Sequence, residues 1–211
     1  MPYTGNKPSA VPLTSADIAD SIITSAKIVD GTIVNGDINA SAAIVSTKLS
    51  GVTSGLTEAD QWRLTTLFTD DASPISSNLE RADNLSSGLL GTGMTQSSGI
   101  FTFPSTGYWL IYFDVTASTG SSPGSVPYHV IQIQTTTNNS TYDVGAESYQ
   151  QMVYVSPYTS YGTGHCQFLF DVTSTANCKV RFRINAFGAT TTEGDSTENL
   201  TYMTFVRLGD T

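Results

Sequence analysis

Two periods organise the apolar residues of this chain. From residue 98 onward apolar and polar residues alternate. The alternation is plainest in His129-Val130-Ile131-Gln132-Ile133-Gln134, in Cys166, Phe168, Phe170 and Val172, and in Cys178, Val180, Phe182 and Ile184. A period of two is that of a half-buried strand. Clusters of Gly, Ser, Thr, Asn and Pro separate the runs and predict strands over 98–104, 107–116, 127–136, 141–147, 150–156, 164–172, 177–186 and 200–208. Lys179, Arg181 and Arg183 stand between the apolar residues of one such strand, where they face solvent or a partner. Short strands, polar turns and no helices in this region predict an all-β sandwich or jelly roll.

The second period is five. Leu13, Ile18, Ile23, Ile28, Ile33 and Ile38 are evenly spaced, and after one inserted residue Ile44 and Leu49 continue the row. Two residues before each Ile from 18 to 44 stands a small residue, Ala16, Ser21, Ala26, Gly31, Gly36 or Ala42, with Asp17, Asp20, Asp30 and Asp37 among the polar remainder. Neither helix nor strand has this period. It fits a chain that turns a corner every pentad, with the isoleucines in line. So few repeats bury too little for one chain to offset the entropy of ordering them, whereas three chains on one axis can. The alternative is an unstructured linker.

Between the two periods, Thr57-Glu58-Ala59-Asp60 offers a helix cap with acidic first-turn residues, followed by Trp62, Leu64, Leu67 and Phe68. This predicts one short helix over about 57–68, ending before Asp70-Asp71 and Pro74. Residues 75–90 read as an edge strand or connector. Gly88-Leu89-Leu90-Gly91-Thr92-Gly93 lacks the strand, the helix and the Gly-Lys-Ser/Thr of a phosphate loop, so it reads as a turn. The resulting layout is an N-terminal peptide (1–12), a five-residue-repeat stalk (13–50), a neck (51–94) and a head (95–211).

Two resemblances add to this. Gly99-x-Phe101-Thr102-x-Pro104-x-x-Gly107-x-Trp109-x-Ile111-x-x-x-Val115 resembles the signature of C1q/TNF-like domains. Trp109 and Ile111 replace that family's usual Tyr and Phe, and Tyr202–Leu208 resembles its closing strand. The resemblance implies a jelly roll that assembles as a homotrimer, with Phe101, Trp109, Ile111, Val115 and Phe205 in its core. Ala26-Lys27-Ile28-Val29-Asp30-Gly31 resembles the repeats of bacteriophage fibre stalks, with Ile18, Ile23, Ile28, Ile33, Ile38, Ile44 and Leu49 as the stalk core. The opening Met1–Pro8 looks like the N-terminus of marine phage fibre proteins, which implies a virion anchor carried by Tyr3, Asn6, Lys7 and Pro8.

Charge narrows the partners. A net charge of −9 with scattered Lys and Arg speaks against nucleic acid. No run approaches the ~20 apolar residues of a membrane helix, and no segment reads as a secretory signal. His129, His165, Cys166 and Cys178 are the only imidazoles and thiols. A zinc site requires all four to converge, and buried free cysteines are the plainer reading. Asp70-Asp71 offers hard oxygen ligands for Ca²⁺, or simply a solvated turn. No nucleophile–base–orienter set is legible, so neither catalysis nor a cofactor is expected. The Tyr-rich run 149–161 places Tyr149, Tyr154, Tyr158 and Tyr161 beside amides and hydroxyls. These are candidate receptor contacts, with core or trimer-axis packing as the alternative.

The expectation is a non-enzymatic, homotrimeric fibre or spike protein of a phage virion. It is anchored to a capsid or tail protein through its N-terminus and exposes its head at the particle surface, where it meets a host-surface glycan. A free carbohydrate-binding adhesin of the C1q-like or lectin-like kind is the alternative.

Overall fold

Burial with a period of two recurs wherever the C-terminal sequence alternates. In Gly107–Thr119, Trp109, Ile111, Phe113 and Val115 are buried while Tyr108, Leu110, Tyr112 and Asp114 point the other way. The computed structural model describes residues 18–39, 41–44, 48, 55–84, 88–119, 127–155 and 157–211. It divides the chain into two compact units, Met1–Val52 and Thr53–Thr211.

The larger unit holds β1 (Ala59–Leu64), β2 (Leu79–Arg81), β3 (Thr95–Ser97), β4 (Ile100–Thr102), β5 (Gly107–Thr119) and β6 (Tyr128–Thr136). It continues with β7 (Asp143–Gln151), β8 (Tyr161–Val172), β9 (Lys179–Phe187), β10 (Thr190–Thr192) and β11 (Tyr202–Gly209). One antiparallel sheet runs β2-β1-β11-β5-β8, with β10 paired to the far end of β5. The other runs β3-β4-β9-β6-β7. The sheets form a jelly-roll sandwich whose core joins Phe101, Trp109, Ile111, Phe113 and Val115 to Ile131, Val180, Phe182, Met203 and Phe205. Phe101 is its hub, within 5.3–5.5 Å of Trp62, Phe182 and Phe205 by ring centroid.

The glycines of the corner are steric requirements. At Gly99 φ is +78°, and a Cβ there would lie 2.1 Å from the Ile75 carbonyl oxygen. At Gly107 φ is +135°, with the Gly209 carbonyl oxygen 2.3 Å from a would-be Cβ. Only glycine meets both demands.

Three expectations need correction. The short helix over 57–68 is instead β1, a strand inside the first sheet, with Trp62 opposite Met203 and Arg63 opposite Tyr202. Its acidic residues bind the glycine loop rather than cap a helix. Glu58 accepts backbone N–H bonds from Thr92 and Gly93, and Asp60 accepts one from Met94 at 2.7 Å. Residues 51–94 are therefore not a separate neck, because β1 and β2 are strands of the sandwich. Among the described residues the strand expected over 150–156 does not form as such: β7 runs on to Gln151, followed by an isolated Val155–Tyr158 bridge.

In the N-terminal unit the described residues contain turns and no strand. Carbonyls of Ala19, Thr24, Val29, Val34 and Asn39 accept from the N–H groups of Ile22, Lys27, Thr32, Asp37 and Ala42. One i→i+3 turn thus closes every five residues, and two of them are short 3-10 turns at Ser25–Lys27 and Asn35–Asp37. Ile18, Ile23, Ile28, Ile33, Ile38 and Ile44 are all exposed in the single chain. Leu49 and the anchor candidates Tyr3, Asn6, Lys7 and Pro8 lie outside the described residues.

Candidate functional site

Two sheet faces point away from the core, and they differ in chemistry. On the first sheet, strand register sets the outer side chains in rows. Leu110 stands between Leu169 and Val206, Tyr112 between Gln167 and Thr204, and Asp114 between His165 and Tyr202. Leu169 and Leu208 are half exposed, at 53% and 51%, and Tyr108 is exposed beside them. An apolar row at one end thus grades into a polar cluster at the other. Burial holds the Asp114 carboxyl above its ordinary range, opposed by the nearby His165. Both line a cleft of about 480 Å³ with Tyr112, Glu147 and Gln167.

On the second sheet the outer ladder is aromatic at one end and cationic at the other. β9 and β6 pair Phe187 with Tyr128, Asn185 with Val130, Arg183 with Gln132, Arg181 with Gln134 and Lys179 with Thr136. Across β6, β7 sets Tyr149 beside Val130 and Glu147 beside Gln132. The Tyr128 and Phe187 rings stack at 4.4 Å and 9°, and Tyr149 lies 6.5 Å from Tyr128. Gln132 and Gln134 are buried beneath the guanidinium groups and hold them. Arg183 donates to Gln132 Oε1 at 3.1 Å, Arg181 to Gln134 Oε1 at 2.8 Å, and Gln134 to Gln132 Oε1 at 2.9 Å. Arg181 also lies 4.1 Å over the Tyr142 ring. Hydrogen bonds from Gln132 and Tyr149 hold the Glu147 carboxyl below its ordinary range.

The remaining chemistry is quiet. Burial pushes the Cys166 thiol up to about 12, which removes the thiolate, and Cys178 is likewise free and buried. Burial pushes His129 down to about 4, and its Nε2 is bonded to the Thr190 hydroxyl at 2.7 Å. Among the described residues no three of His, Cys, Asp and Glu gather as metal ligands. Asp71 instead accepts the backbone N–H of Ala186 at 2.7 Å, tying its turn to β9.

The predicted core residues Phe101, Trp109, Ile111, Val115 and Phe205 are all fully buried. The four tyrosines are spread over two strands and the connection between them. Tyr149 is on β7, Tyr154 and Tyr158 are in the following connection, and Tyr161 opens β8. Tyr149, Tyr158 and Tyr161 are about 70% exposed, so none of these three packs the core of the chain. The Tyr128–Phe187 stack and the Gln132–Arg183 network escaped the sequence reading. Their only signal is that 128, 132 and 134 share one parity and 181, 183 and 187 share another, and parity does not say which strands are neighbours.

No protein-family model matches the chain, and no curated protein matches it by sequence. Solved structures do. Eiger TNF from S. frugiperda aligns with a TM-score of 0.52 at 11% identity, over 75% of this chain and 96% of that one. Murine APRIL aligns with a TM-score of 0.48 at 14% identity, over 72% and 98%. The sandwich is a TNF-like jelly roll. At this identity the likeness concerns the fold alone.

Proposed function

We propose that the chain is a non-enzymatic, homotrimeric fibre or spike protein of a bacteriophage virion. Its N-terminal segment attaches to a capsid or tail protein, and its jelly roll faces outward to bind the host surface. The observation that carries the trimer is the outer face of the first sheet. A sheet that already buries Trp109, Ile111, Phe113 and Phe205 on one side presents Leu110, Leu169, Val206 and Leu208 on the other. A contiguous apolar row on a sheet face calls for a covering surface, and neighbouring copies in a homotrimer supply one. The exposed isoleucine row supports the same stoichiometry, because three chains can bury what one cannot. The resemblance of Met1–Pro8 and of the pentads to phage fibres supports the virion assignment. A free carbohydrate-binding adhesin would have no use for either segment.

Light scattering on the purified chain tests the reading: a mass near three times 22.4 kDa is expected. Leu169→Asp with Val206→Asp should leave the sandwich folded and weaken the trimer, so that the mass falls on dilution where the wild type's does not. A monomeric wild-type chain overturns the proposal.

A further inference from the structure

We infer that the outer face of the β3-β4-β9-β6-β7 sheet is a binding site for an anionic polysaccharide, with Arg181 and Arg183 taking its acidic groups and the Tyr149–Tyr128–Phe187 rings taking a sugar face. The inference deepens the host-attachment reading above by naming the ligand class, and it rests on that reading only for its biological setting.

The first argument is the distribution of charge. Nine Lys and Arg face eighteen Asp and Glu in the chain. Arg63, Arg81 and Arg207 each contact a carboxylate within 4 Å. Among the described residues Arg181, Arg183 and Lys179 form no such ion pair, although they stand at alternate positions of one strand. Their hydrogen-bond partners are neutral, the Gln134 and Gln132 carbonyls and the Thr175 carbonyl for Lys179, while Glu147 is close enough to Arg183 to be attracted to it. Two carboxylates stand on the neighbouring β7, Glu147, which is engaged by Gln132 and Tyr149, and the exposed Asp143 at its start. The face therefore carries a net positive field on an acidic protein, which selects for anions locally. A protein of this net charge repels a polyanion everywhere else.

The second argument is preorganisation. The guanidinium groups are fixed from below by buried amides, and Arg181 is also fixed by the Tyr142 ring, so little side-chain entropy is lost when they take a carboxylate or sulfate. Arg183 Nε and Asn185 Oδ1, adjacent on the ladder, are buried with no hydrogen-bond partner among the described residues. Lys179 is almost covered and adds field rather than contact.

The third argument is the aromatic end. Phe187 and Tyr149 remain 43% and 69% exposed, and Phe187 stacks on Tyr128. Rings held in this way offer a rigid apolar surface to the C–H face of a sugar, at low entropic cost. A chain of sugars bearing acidic groups matches both ends at once.

Biolayer interferometry of the full chain on immobilised alginate (carboxylates), dextran sulfate (sulfates) and neutral dextran tests this. Binding to at least one polyanion is expected, with affinity falling steeply as salt rises and none on neutral dextran. Which polyanion binds identifies the acidic group. Arg181→Gln with Arg183→Gln should weaken binding at least tenfold. The exposed Tyr149→Ala, which removes no core contact, should weaken it severalfold, and Lys27→Gln with Lys48→Gln should leave it unchanged. The inference is overturned by no binding to either polyanion at low salt. Equal binding to neutral dextran also overturns it, as does a Lys27/Lys48 variant that loses as much as the Arg181/Arg183 variant. Light scattering of the same sample separates the two readings. A trimer that ignores both polyanions sinks only this inference, and a monomer that binds them sinks only the trimer.

Discussion

His129 shows how one buried residue contributes to the acid response of the sandwich. It is fully buried on β6, with Nε2 on the Thr190 hydroxyl and Nδ1 unpartnered. Burial lowers its pKa from the ordinary 6.5 to about 4, against a smaller opposing pull from Asp71. The unfolded chain therefore binds a proton between those two values that the folded chain refuses. Stability is full above pH 6.5 and falls as pH drops towards 4, by about 3 kcal/mol from this group. The urea midpoint should fall measurably from pH 7 to pH 4.5, and His129→Gln should flatten the dependence over that window. An unchanged slope in the variant would show that other groups control the acid limb. The alternation of β6 puts His129 on the inward parity of Ile131 and Ile133, but nothing local shows that its partner is Thr190, far away in sequence.

At the scale of elements, Ala59–Leu64 is the instructive strand. Its acidic start and apolar spacing fit a helix as well as a strand, and only the partners decide. β11 and β2 flank it, with Trp62 and Leu64 turned to the core. Asp60, on the same inward side, is 3% exposed and fully engaged. Trp62 Nε1 donates to it at 2.9 Å, Met94 N–H at 2.7 Å, and Arg81 through two nitrogens at 2.9 and 3.1 Å. Asp60→Ala strands the Arg81 guanidinium, an indole N–H and a buried amide together, so it should cost about 3 kcal/mol, read as a shift in urea midpoint. A loss below half a kcal/mol would mean that water replaces the carboxylate. The strands with clean alternation, β5, β6, β8 and β9, were legible because alternation fixes both identity and facing. β1 and the end of β7 were not, because long-range pairing defines them and pairing leaves no local trace. The candidate site divides in the same way. The parity of Lys179, Arg181 and Arg183 was readable, whereas the amides beneath them come from a strand far away in sequence.

At the scale of the molecule, the two periods make separable demands on assembly. The jelly roll closes its own core and leaves one apolar face over, so its fold does not depend on the repeat. The repeat closes a turn every five residues but buries none of its described isoleucines in one chain. Lys27 and Lys48 lie within it and report on its state, because trypsin cuts only where the backbone can open. If three chains pack their isoleucine rows together, both lysines should resist trypsin in the wild-type trimer. Ile28→Asp with Ile33→Asp places charge on that row, so both sites should become cleavable at least tenfold faster. The thermal midpoint of the sandwich should stay within about 1 °C, since its core shares no residue with the row. Equal cleavage of wild type and variant would mean that the repeat is never covered, and the trimer would then rest on the β5, β8 and β11 face alone. A fall in the sandwich midpoint would mean that the repeat supports the jelly roll directly.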